Sequence, residues 1–281
     1  MPSKTALPNF TTPPVVEVVL SAQFASLERL TAPHMGLLWQ TFRSEFPIAE
    51  QQSPVEHITE TFNTAKPLKP SINFQVLAAP PTPRCFFRNE DRTQILQVQS
   101  DRFTHNWTKT CDQDRYPRYE VIRQRFQTEL TAFANFIKLE NLGQLFFEQC
   151  EVTYVNYIES GPGWKDMKNL NQVLTLWTGV NQSKYLGEPE DISFSQKHLI
   201  KDDATGDPVG RLHIDLESGY SPFDLSARAL RLTLTSRLRP TTPDIEGVLN
   251  RIDLGRYWIV QSFSDLCTEE MKKLWGQTNE S

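Results

Sequence analysis

The side chains able to do chemistry here are scattered, and their spacing closes off most reactions. His34, His57, His105, His198 and His213 stand far apart, and none lies one helical turn from another. No HExxH-type metal site is therefore written locally. Cys85, Cys111, Cys150 and Cys267 are separated by 26, 39 and 117 residues, without a CxxC pair. They read as four reduced thiols, mostly buried, in a chain of the cytoplasm. No metal and no other cofactor is expected. His213 and Asp215 share one side of an alternating stretch with Arg211 and Glu217, while Leu212, Ile214 and Leu216 take the other. One reading is a half-exposed strand with cross-strand charge pairs. The other is a His–Asp pair for proton transfer, which needs a nucleophile or pocket that the sequence does not supply. Gly219-Tyr220-Ser221-Pro222-Phe223 approaches a nucleophile elbow, but Phe223 replaces the final glycine. Pro222 also removes the amide that would serve as an oxyanion donor. Gly161-Pro162-Gly163-Trp164 lacks a third glycine, and Pro162 has no amide to offer a phosphate. Both stretches read as loops or turns, and the chain leans away from being an enzyme.

Charge gives a second set of candidates. DRYPRYEVIRQRF interleaves Arg115, Arg118, Arg123 and Arg125 with Tyr116, Tyr119 and Phe126. Arginine among aromatics is the chemistry of single-stranded nucleic-acid binding. Yet Tyr119 and Phe126 fall on the apolar stripe of a helix, and the chain as a whole carries a net charge of −5. Residues 84–125 carry a net +3 and residues 126–227 a net −8. A basic patch facing an acidic surface suits another protein or a second copy better than a polyanion.

The elements that must position these residues follow from periodicity. Aromatics at 11% and charged residues at 22% of the 281 positions exclude a disordered chain. No apolar run approaches the roughly 20 residues of a membrane span, and the first residues do not form a secretory signal. Residues 1–14 carry four prolines and read as a flexible arm. Val15–Phe24 is a buried strand. Thr31 and Pro33 start a helix that Phe46-Pro47 closes. The proline-rich stretch 47–84 reads mostly as loop, with a strand at Ser71–Leu77. RCFFR, QILQVQ and RFTHNWTK form a three-stranded meander with one buried face. Tyr119, Ile122, Phe126, Leu130, Phe133 and Ile137 are spaced 3, 4, 4, 3 and 4, a single helical stripe with Gly143 as its cap.

The same order then recurs: a strand at Glu148–Ile158, a helix at Met167–Trp177, and strands at Ile192–Ile200, Val209–Leu216 and Ala229–Leu238. A long helix follows at Asp244–Leu266, and Thr268 caps a last short one. The fold class is α+β, with antiparallel sheets packed on long helices. Two similar strand-helix-three-strand-helix halves are expected, at 15–143 and 144–281. They are either separate or one continuous domain with sheets joined edge to edge.

Five runs carry a resemblance: PPVVEVVLSAQF, LTAPHMGLLWQTFRSEFP, ILQVQSDRFTHNW with YPRYE, QCEVTYVNYI and SFSDLCTEEMKKLWG. They resemble a sporadically distributed family of uncharacterised prokaryotic proteins of about this length. That resemblance transfers no activity or catalytic residue. Its patchy distribution implies accessory genes that travel between genomes, as toxin–antitoxin and phage-defence genes do. Its runs also mark polar residues within apolar strands: Gln97, Gln99, Asn106, Tyr154 and Asn156. These either satisfy backbone groups where sheet meets helix or line a pocket there.

Three functions follow in order. The first is a non-catalytic cytoplasmic accessory protein that binds another protein. The second is a small-ligand or nucleotide-binding protein, either a binder alone or an enzyme, with a cavity between sheet and helix. The third is single-stranded nucleic-acid binding. No membrane partner is expected.

Phe103, His105 and Trp107 alternate with Thr104 and Asn106, which places Trp107 in the core. Trp107→Ala should cost about 3–5 kcal/mol of stability, whereas an exposed partner anchor would leave the melting temperature unchanged. A thermal melt of the variant separates the two.

Overall fold

The apolar stretch Val15–Phe24 becomes the strand from which a sheet grows in both directions. The computed structural model describes residues 6–62, 83–177, 185, 187 and 189–279. Its first part runs β1 (Pro8–Phe10), β2 (Val15–Phe24), α1 (Ala32–Phe42), β3 (Ile48–Gln52), β4 (Arg84–Arg88), β5 (Gln94–Gln99), β6 (Arg102–Thr108) and α2 (Tyr119–Leu139). Then come β7 (Phe147–Glu159), a 3₁₀ segment (Met167–Gln172), β8 (Ser193–Lys201), β9 (Pro208–Tyr220), β10 (Arg228–Leu238), α3 (Ile245–Leu266), α4 (Glu269–Leu274) and β11 (Gln277–Asn279). Among the described residues, nine strands form one antiparallel sheet, ordered β3-β4-β5-β6-β2-β7-β10-β9-β8. β1 and β11 pair separately.

The centre of the sheet is β2 against β7, with Val18 opposite Tyr154, Leu20 opposite Val152 and Ala22 opposite Cys150. One face is apolar and lies under the helices. The α2 stripe is buried along its length, and Phe103 of β6 stacks on Phe133 at 5.0 Å and meets Phe126 at 6.3 Å. Each such ring taken from water contributes about 1.5–3 kcal/mol. α3 packs on β7 and β10 at Gly255, where a β-carbon would collide with Ser236 Oγ and lie 3.2 Å from Val152 Cγ2. The other face of the sheet is polar. Residues 53–62 lie over it without secondary structure of their own.

Several expectations are corrected. Residues 8–10, expected in a flexible arm, are docked: Pro8–Phe10 pairs with Gln277–Asn279, and the buried Phe10 ring meets Phe263 edge-on at 5.4 Å. β3 lies in the stretch read as loop. The strand expected at Ser71–Leu77 lies outside the described residues. The helix expected at Met167–Trp177 shortens to the 3₁₀ turn at Met167–Gln172, where Asn169 and Asn171 are poor helix formers. Gly143 does not cap α2. Asn141 does so at φ 52°, with Leu142 N–H bonding Ile137 C=O at 3.0 Å and Asn141 N–H bonding Lys138 C=O at 3.2 Å. Asp244 caps α3 by accepting from Gly247 N–H at 2.8 Å. β6 is buried on both faces, since Trp107 is 3% exposed and Asn106 4%.

Ser236 Oγ is buried without a hydrogen-bond partner. Ser236→Ala is therefore expected to leave stability unchanged or raise it slightly. Gly255→Ala should lower it by about 1–3 kcal/mol through overpacking, and Ser236→Ala should relieve part of that loss. Urea denaturation of the two single variants and the double variant checks this coupling.

Candidate functional site

The start of β2 carries a bulge: Val15 opposes Asn156 while Glu17 opposes Val155, so Val16 is extra. A bulge interrupts the ladder and opens space beside it. Into that space point Tyr154 and Asn156, from the helix-facing side of β7. Tyr116 enters from the turn before α2, its ring 5.5 Å from that of Trp107 and 6.4 Å from that of Tyr154. Its hydroxyl lies 3.1 Å from the Tyr154 hydroxyl.

Arg118 closes one end. It sits at φ 76°, a conformation uncommon for a residue with a β-carbon. Its Nη1 donates to Phe10 C=O at 2.9 Å and Asn9 Oδ1 at 3.2 Å, which holds β1 over the opening. α2 and α3 are fastened alongside. Asp253 accepts from Tyr119 Oη at 2.5 Å and from Arg123 Nε and Nη2 at 2.7 and 2.9 Å. The Arg256 guanidinium lies over the Tyr119 ring at 4.6 Å and pairs with Glu120 at 3.4 Å. The result is a cavity of about 280 Å³, whose apolar wall includes Phe10, Val15, Ile259 and Phe263.

Burial pushes the Tyr116 hydroxyl well above the ordinary phenol range, and burial likewise raises Tyr154. Both stay protonated at neutral pH. Two hydroxyls that share one hydrogen bond use one of their two hydrogens, so the pair retains one to donate. Asn156 Nδ2 donates to Leu232 C=O at 3.1 Å, which leaves its second amide hydrogen and its oxygen for other partners. The set suits one anionic or carbonyl group on an otherwise apolar ligand.

The sequence-derived candidates divide between the two faces of the sheet. Tyr154 and Asn156 line the cavity, as does Arg118 of the arginine cluster. Arg123 is held by Asp253 and Arg125 by Glu45, so both fasten the chain to itself, while Arg115 is exposed. Gln97, Gln99 and Asn106 lie on the opposite, polar face. There Arg84 donates to Gln97 at 3.3 Å, Gln97 to Asn106 at 2.8 Å and Asn106 to Glu17 at 2.7 Å. Gln99 bonds Val55 and Asp101.

His213 is buried, not on a solvated face, and its Nε2 bonds Glu60 at 2.7 Å instead of pairing with Asp215. Burial, Arg237 and Lys197 push it down to about 4, so the neutral ring donates to the Glu60 carboxylate. Ser221 is buried and bonded to Glu159 in a loop, far from the geometry of a nucleophile. His105, fully buried, bonds Glu129 at 2.7 Å beneath α2. Sequence reading missed that pair; its signal was a carboxylate three residues after Phe126 on the apolar side of the helix. Arg256 and Asp253 gave no local signal.

Among the described residues no group of three or more His, Cys, Asp or Glu is placed to hold a metal, and no helix is long and apolar enough to cross a membrane. No family model and no curated protein matches the chain.

Burial pushes the Glu17 carboxyl above its ordinary value of 4.5, against the opposing bond from Asn106. A raised folded value favours folding below the unfolded pKa, and that gain is lost as pH rises through the folded value. Glu17→Gln keeps an acceptor for Asn106 and removes the charge. It is expected to melt above the wild type at about pH 8, with the difference shrinking toward about pH 4. Melts across that range check it, and parallel curves would refute the burial cost.

Proposed function

We propose that this protein is a non-catalytic binding protein for a small, largely apolar ligand bearing one anionic group. The observation that carries the reading is the cavity beside the β2 bulge, where the Tyr116–Tyr154 hydroxyl pair and Arg256 converge on an apolar wall. Enclosed apolar space with a few convergent polar groups is the usual form of a ligand site. The tyrosine hydroxyls are moved further from neutral pH, which suits them to donate a hydrogen bond and unsuits them to act as acid or base. The cytoplasm is the proposed setting: all four cysteines are free thiols, and Cys111 is exposed.

The proposal includes a duplicated architecture. β2 neighbours β6, which is followed outward by β5 and β4. β7 neighbours β10, which is followed outward by β9 and β8. In each half a helix of about the same length follows these strands, 21 residues for α2 and 22 for α3. The cavity lies where these two units meet, which is where shared binding sites commonly form.

Protein association remains the second reading. The specific observation in its favour is the nine-residue strand β8, which among the described residues is paired on one side only, with Leu199 exposed.

Calorimetric titration with 1-naphthoate, and with 1-naphthamide as its uncharged counterpart, tests the ligand reading. The carboxylate is expected to bind at one site, and Arg256→Ala to weaken it about tenfold, or 1.4 kcal/mol. Tyr154→Phe should weaken it less. Equal binding of acid and amide, or none of either, would sink the proposal.

A further inference from the structure

On the polar face of the sheet, residues 55–62 are held as a bound peptide would be. They pair with no strand. Instead, side chains from successive strands grip their main chain. Gln99 of β5 accepts from Val55 N–H and donates to Val55 C=O, both at 2.8 Å. Arg102 of β6 donates to Glu56 C=O at 3.3 Å. Ile58 C=O receives Gln23 of β2 at 3.1 Å and Gln149 of β7 at 2.8 Å, and Gln149 also accepts from Glu60 N–H at 2.8 Å. Arg211 of β9 reaches Thr61 C=O at 3.1 Å. The segment thus runs across the strands. Five extended residues reach about 17 Å, and the four strand steps from β5 to β10 span about 19 Å. A nearly straight chain fits that path, with the long Gln and Arg side chains closing the difference.

Three side chains of the segment are read as well. His57 sits between Asp101 at 2.8 Å and Glu148 at 3.2 Å. The Glu60 carboxylate is 7% exposed and meets Arg211, His213 and Arg237. The Phe62 ring lies 5.3 Å from the guanidinium of Arg211 and 5.0 Å from that of Arg239. Amide side chains that read a backbone accept many sequences, while a buried carboxylate site and a guanidinium-flanked ring site select. Charge is complementary at both ends: carboxylates meet the histidine, and three arginines meet the glutamate and phenylalanine.

We infer that this face is a recognition site for an extended peptide of the pattern His-x-x-Glu-x-Phe, occupied in cis by residues 57–62 and open to the same pattern on a partner protein. It is independent of the cavity on the helix side, which faces the opposite way. A covalently attached occupant competes at an effective concentration near millimolar, so the intact chain takes up such a peptide weakly.

The probe is a fluorescein-labelled peptide of residues 53–62, titrated by anisotropy into the full chain. Glu60→Ala with Phe62→Ala weakens the cis occupant, and that variant should bind the peptide at least about tenfold more tightly than the wild type. Adding Arg211→Ala should abolish the gain, and a peptide carrying glutamine for its glutamate should bind about tenfold more weakly. Glu60→Gln preserves shape and serves if the double variant does not melt cooperatively; it should show a smaller gain in the same direction. Absence of uptake by the cooperatively melting variants, or equal uptake of a scrambled peptide, would overturn the inference. So would a doubled mass in light scattering without peptide uptake, since the segment would then be exchanging between copies.

Discussion

The backbone ladder between β2 and β7 is the constraint on which the rest depends. It joins the strands of the first part of the chain to those of the second in one nine-strand sheet, with β2 and β7 in the middle. An antiparallel sheet can leave one face to water, but β2 is buried on both faces along most of its length. On one face the cover is apolar: Leu20, Val152 and Phe103 lie under α2 and α3. On the other it is polar: Ser21 and Thr104 bond each other at 2.7 Å, and Gln23 and Gln149 bond the segment above them. Burying those amides without partners would cost about 1–3 kcal/mol each. The overlying segment is therefore part of the same requirement that fixed the helices.

The two candidate sites arise from that arrangement in different ways. The helix-side cavity lies beside the one-residue break in the ladder at Val16, with Asn156 opposite Val15 on one side of the break and Tyr154 opposite Val18 on the other. The polar-face site lies at the other end of the ladder, where Gln23 stands opposite Gln149 just before a second register shift, between Gln23 and Phe24. One is lined by aromatic rings, the other by amide and guanidinium side chains that hold a chain.

Elements with their own periodicity were legible in the sequence. Val15–Phe24 and the α2 stripe match because alternation and helical spacing repeat often enough to be read. Thr268 was legible as a cap because its hydroxyl accepts from an amide only three residues away. β1 was not, since three residues carry no period and their partner lies at 277–279. Of the cavity, Tyr154, Asn156 and Arg118 were legible as polar residues in apolar or aromatic runs. Arg256 was not, because an arginine on a helix is ordinary until its neighbours are known. Gln97, Gln99 and Asn106 were visible in the sequence as polar residues within apolar strands. Their surroundings were hidden, because Val55 bonds Gln99 across 44 positions and Glu60 bonds His213 across 153.

The central ladder also sets the order of events during synthesis. β2 waits for β6 at one edge, where Ala22 meets Phe103, 81 positions later, and longer for β7 at the other, where Ala22 meets Cys150, 128 positions later. At roughly 5–20 residues per second, a ribosome needs on the order of ten seconds to supply that partner. For the last part of that interval, after β6 is made, the nascent first half presents a ten-residue, largely apolar strand with one unpaired edge. Such an edge is a template for pairing with another chain. The nascent protein thus passes through a state that favours association between neighbouring chains on one messenger, and it leaves that state when β7 closes the edge.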